Sequence, residues 1–146
     1  SMHVPALIPD DYLPNISTRL ILYKRVDQAK SKEQLNEVQV EMIDRFGLLP
    51  EATKQLFTQA EIRLRAERLG ISNIDVSARG GSVTFTESTP VPVNALIKLL
   101  QSNPKEFKMA GSNGLRFLTE LESAAERKAY IEQLLQQWET ACFDSQ

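Results

Sequence analysis

Glu33, Glu37, Glu41 and Asp44 are the residues of this 146-residue chain whose types and spacing come nearest to chemistry. They recur at intervals of four, four and three, so on a helix they form one stripe. Paired carboxylates such as Glu37 and Glu41 are the equipment of acid–base catalysis. On an exposed helical face with no group to tune them, they are simply solvated. The other reading is a face that meets a basic partner. Like charges within the stripe repel by about 0.2–0.5 kcal/mol per pair. Arg45 is the only basic residue at i+4, facing Glu41. Stability does not ask for this arrangement, so a partner is worth weighing, although the spacing alone favours the solvated face.

Other reactive constellations are missing. His3 is the sole histidine and Cys142 the sole cysteine, which removes Ser-His and Cys-His nucleophiles and the usual zinc sites. Gly80-Gly81 and Gly111-Ser112-Asn113-Gly114 lack the Gly-Lys-Ser/Thr of a phosphate-binding loop and read as turns. Cys142 and Trp138 lie on the apolar side of a terminal helical pattern, an inert buried thiol and a core ring. Lys54, Arg63, Arg65 and Arg68 are interleaved with Glu61 and Glu67, a mixed, solvated face rather than a nucleic-acid footprint. The expectation is a region with no catalytic residue, no metal and no cofactor of its own.

The elements that would hold the stripe are legible around it. Leu35, Val38, Met42 and Phe46 recur at three, four and four on the opposite side of the same helix. Ser31-x-x-Gln34 opens that helix as a capping box. Gly47 should close it as a left-handed cap, and Pro50 stands where the next helix can begin. Arg45 is placed to meet the last carbonyls and pin the Phe46-Gly47 turn. Pro5, Pro9 and Pro14 hold the preceding segment extended. A first helix is expected over 17–29, after Ile16, with Leu20, Tyr23 and Val26 inward. A third is expected over 50–69, burying Leu56, Phe57, Ala60 and Leu64 and ending at Gly70.

The period then changes from helical to alternating. Ile74, Val76 and Ala78, then Val83 and Phe85, flank Gly80-Gly81 as a β-hairpin turning at the two glycines. A short helix over 94–102 carries Leu96, Ile97, Leu99 and Leu100. Strands at 107–110 and 115–119 flank the second glycine cluster. Ser123-x-x-Glu126 opens a last helix bearing Ile131, Leu134, Leu135, Trp138 and Cys142. The expected class is α+β: N-terminal helices, then an antiparallel sheet of roughly four strands with a short helix and a C-terminal helix.

Net charge is −2 and is balanced up to Gly70, so nothing suggests binding to phosphates by bulk charge. No apolar run approaches the ~20 residues of a membrane span. One cysteine suits a reducing, cytoplasmic setting. Residues 1–4 read as cloning scar and disordered end, with Ser1, Met2 and His3 excluded from fold reasoning. Residues 5–146 read as a single domain.

The run Glu41-Met42-Ile43-Asp44-Arg45-Phe46-Gly47-Leu48-Leu49-Pro50, followed by Leu56 and Phe57, closely resembles the signature of the C-terminal domain of bacterial transcription-repair coupling factors. Ile8-Pro9-Asp10-Asp11-Tyr12-Leu13 is similar to that family's entry segment, and Arg19-Leu20-Ile21-Leu22-Tyr23-Lys24-Arg25 to its first long helix. The resemblance covers roughly half the chain. It implies one regulatory domain of a bacterial motor that frees stalled RNA polymerase from double-stranded DNA and recruits excision repair. The motor's translocase resembles RecG and helicase superfamily 2, and would use ATP and Mg. This domain, itself non-catalytic, would dock on the motor's UvrB-like module, mask the surface that recruits UvrA and hold the motor repressed. Glu37, Glu41 and Asp44 would then be interface residues, and Arg45, Phe46, Gly47 and Pro50 the structural signature. An accessory nucleic-acid-binding domain is the alternative.

Overall fold

The computed structural model describes residues 1–144. The chain forms two compact units, Val4–Leu64 and a second made of Ser1–His3 with the chain from Arg65 onward.

The first unit is helical. Helix α1 (Ile16–Gln28) begins with Asn15, whose side chain accepts from the Thr18 amide at 2.9 Å, one residue earlier than the pattern predicted. Helix α2 (Lys32–Phe46) begins with Ser31, whose hydroxyl accepts from the Gln34 amide. The Gln34 side chain reaches past Ser31 to the Lys30 amide, so the box is only half closed. Helix α3 (Glu51–Arg68) begins after Pro50, whose carbonyl accepts from Thr53 and Lys54. Leu22, Val26, Leu35, Val38, Met42, Phe57 and Ala60 share one core with Ile8 and Leu13 of the entry segment; Leu56 and Leu64 pack against it. That segment is tied down by Leu7, which bonds the Ala52 carbonyl and the Thr53 hydroxyl, and by Ile8, which donates to Tyr23.

Two expectations fail here. Leu20 is 63% exposed, whereas Leu22 is 1% exposed. Leu20, Ile21 and Leu22 are consecutive apolar residues projecting ~100° apart, so α1 has several apolar sides and α2 selects one of them. Gly47 has the positive φ expected (95°), but its ψ of −174° places it outside the left-handed helical well, in the glycine-only extended region.

The second unit is an antiparallel sheet with helices. Strands β1 (Ile71–Ser77), β2 (Gly80–Phe85), β3 (Phe107–Ala110) and β4 (Gly114–Leu118) are arranged β1-β2-β4-β3. Helix α4 (Val93–Ser102) links β2 to β3, and α5 (Ala124–Phe143) closes the unit behind a complete Ser123–Glu126 capping box. The α+β class is as expected. The hairpin turn is not at Gly80-Gly81. It is Ala78-Arg79, and both glycines are paired within β2, Gly80 with Ser77 and Gly81 with Val76. A Cβ at Gly81 would run into the Asp75 carbonyl oxygen and one at Gly80 into that of Phe117. Close strand approach requires glycine at both positions, and at Gly80 a φ of 127° does so as well. Val76, Val83, Leu115, Phe107 and Phe117 are buried. The α5 side chains Trp138 and Tyr130 meet Phe85 edge-on and Phe117 at a tilt, with ring centroids 5.2 and 4.9 Å apart. Cys142, expected to be buried, is half-buried, and burial raises its thiol pKa.

Candidate docking face

The core side of α2 is apolar, so the stripe is forced outward. Glu33, Glu37 and Asp44 are exposed and make no ion pair among the described residues. Glu41 differs from them. One of its carboxylate oxygens accepts from Arg25 of α1 at 2.9 Å, and the other from Arg45 at 3.0 Å. The hydrogen bond from Arg25, then that from Arg45, holds the Glu41 carboxyl below the usual carboxylate range.

Arg45 was expected at the last carbonyls of the helix. Instead it pairs with Glu41, and its guanidinium lies 4.8 Å from the Phe46 ring centre. Phe46 meets Tyr12 edge-on at 6.1 Å, and the Tyr12 hydroxyl donates to the Gly47 carbonyl at 2.8 Å. The signature residues Arg45, Phe46 and Gly47 thus form one chain of contacts that fastens the entry segment to the end of α2. Pro50 starts α3 and takes no part in it.

The outer side of α2 is an open surface made of Glu33, Asn36, Glu37, Val40, Glu41, Asp44 and Arg45. Val40, 57% exposed, is an apolar residue in the middle of this acidic face. Sequence reasoning missed both Arg25 and Val40. Arg25 gave no signal, because its contact is between helices. Val40 did, since it lies three residues from Glu37 and four from Asp44. The face can therefore offer bare carboxylates around an aliphatic contact, while Glu41 is engaged within the unit.

Elsewhere, no group of three His, Cys, Asp or Glu side chains is placed to hold a metal among the described residues. No described helix is long and apolar enough to cross a membrane.

Together the helical unit, the four-stranded antiparallel sheet and the exposed α2 face define a small α+β module. Its fold is similar to that in the crystal structure of the C-terminal domain of a transcription-repair coupling factor, with a TM-score of 0.74 and 20% identity, covering 95% of this chain and 92% of that one. The pattern of the TRCF domain family matches residues 2–96. The transcription-repair-coupling factor of Escherichia coli (strain K12) is 37% identical over 138 residues, 94% of this chain. That of Haemophilus influenzae is 40% identical over 134 residues, 92% of this chain. The chain belongs to the transcription-repair coupling factor family, as its TRCF domain. It spans 12% of the length of each of these two relatives.

Proposed function

We propose that this region is a non-catalytic, autoinhibitory clamp of a transcription-repair coupling factor. Its α2 face docks on the UvrB-like module of the same protein and covers the surface that recruits UvrA. ATP and Mg belong to the translocase, which the clamp restrains in the bacterial cytoplasm until stalled RNA polymerase is engaged on double-stranded DNA. The observation that carries this reading is the pair of bare carboxylates, Glu37 and Asp44, on either side of exposed Val40. Such a face is suited to arginines that flank an apolar side chain, and charge pairs of this kind supply register and specificity more than affinity. Within one chain, the high effective concentration keeps even a weak contact mostly closed. A weak contact can also be released by a ligand that favours the open state.

The test is calorimetric titration of this chain against the separately purified UvrB-like module at low and moderate salt, with a Glu37→Arg/Asp44→Arg variant as control. Binding that weakens with salt and disappears in the variant supports the clamp. Should the isolated pieces not bind, the same two substitutions in the full-length protein decide. Unchanged UvrA affinity there sinks the acidic contact.

A further inference from the structure

The outer edge of β1 is occupied. The Ser1 nitrogen donates to the Ile74 carbonyl at 2.6 Å, and the Val76 amide donates to the Ser1 carbonyl at 2.8 Å. Those two bonds bracket Asp75, the bonding of a parallel strand pair. Met2 is buried, and the His3 ring meets the Asp75 carboxylate at 2.7 Å. The next two carbonyls are gripped from α5. Arg127 donates to the Met2 and His3 carbonyls at 3.3 and 3.1 Å, and to those of Leu121 and Glu122 at 2.8 and 3.2 Å.

Arg127 is the unusual part. It is 8% exposed and has no carboxylate partner among the described residues. A buried guanidinium is costly unless its donors are satisfied. Here the acceptors are backbone carbonyls, and half of them belong to residues 1–3. The seat therefore reads main chain, with one apolar side chain at the second position. Ser1 and His3 fill the other two places, the His3 ring against the Asp75 carboxylate. An unpaired sheet edge is also a template for an added strand, and a covered one is protected.

We propose that the β1 edge and Arg127 form a receptor for an extended chain segment with an apolar second residue, and that its occupant is the segment leading into Val4. The carbonyls offered to Val76 and Arg127 are ones any extended peptide presents, and in a chain continuing from an earlier residue a backbone amide would stand where the Ser1 ammonium donates to Ile74. Clipped there, the entering chain is fixed against the sheet up to residue 3, which sets where the domain's tether begins and how far it reaches. The proposal is independent of what the α2 face binds.

Amide hydrogen exchange of the 146-residue chain tests it, read at Val76, with Val83 inside the sheet as reference. Val76 should be protected by about a hundredfold or more in the unaltered chain and stay within about threefold of that in Ser1→Ala/His3→Ala. Met2→Asp and Arg127→Met should each speed its exchange by about tenfold or more while Val83 stays slow. If Arg127→Met does not fold, Met2→Asp carries the test. Fast exchange at Val76 in the unaltered chain, or in Ser1→Ala/His3→Ala, overturns the proposal. So does slow exchange in Met2→Asp.

Discussion

Arg25 of α1 and Glu41 of α2 meet at 2.9 Å, although they are sixteen residues apart in sequence. The contact takes one member of the acidic stripe and makes it a tie between two helices. Glu37 and Asp44 keep their charge facing solvent. The stripe that is uniform in sequence is therefore divided in the structure.

This division gives the two charge reversals different signatures. Asp44→Arg should leave thermal stability unchanged while, in the full-length protein, raising UvrA binding and basal ATP hydrolysis. Glu41→Arg should add a third cation beside Arg25 and Arg45, so it should lower the melting temperature as well. Melting curves and UvrA titrations of both variants check this. Equal melting temperatures would mean that the Arg25–Glu41 contact contributes nothing to stability.

Acid should expose the same contact. The Glu41 pKa is lowered in the folded state, so its contribution is present above the unfolded value, about 4.3, and is lost as pH falls through the folded one. The melting temperature of the unaltered chain should exceed that of Glu41→Gln near neutrality, and the gap should close below pH ~4. Its side chain and those of both arginines are more than a third exposed, so the gap is small and shrinks with salt. A gap that widened in acid would reverse the assignment.

The glycines separate backbone strain from crowding. Nothing lies within 4 Å of a Cβ built on Gly47, so Gly47→Ala and Gly47→Val should each cost about 1–3 kcal/mol through φ alone. Gly81→Ala should be worse than Gly111→Ala, because the first meets the Asp75 backbone and the second only open space at φ 68°. Urea unfolding of the four variants measures these differences. An unshifted midpoint for Gly47→Val would show that the turn relaxes to a negative φ.

The inward face of α1 can be checked in the same way. Leu22→Ala should cost about 2–5 kcal/mol, as deep core truncations do. Leu20→Ala should stay within about 0.5 kcal/mol. Comparable losses at both sites would restore the face that the periodicity suggested.

How much of this was legible from the chain depended on distance along it. The α2 pattern Leu35, Val38, Met42, Phe46 lay in the sequence because a regular helix turns spacing into direction, and the buried side is as expected. The Ser31 and Ser123 starts and the Gly47 stop were equally local, as was the α+β order of elements. What remained concerned residues brought together from afar. Nothing in the spacing of α1 says which of Leu20, Ile21 or Leu22 faces a neighbour. Gly80-Gly81 looks like a turn until β4 is laid against it. The order β1-β2-β4-β3, the Arg25–Glu41 tie and the seat on the β1 edge need strands and helices that approach through space. Local spacing encodes the faces of elements. Only packing decides which faces meet, because the energies that choose among them belong to pairs of elements and not to either alone.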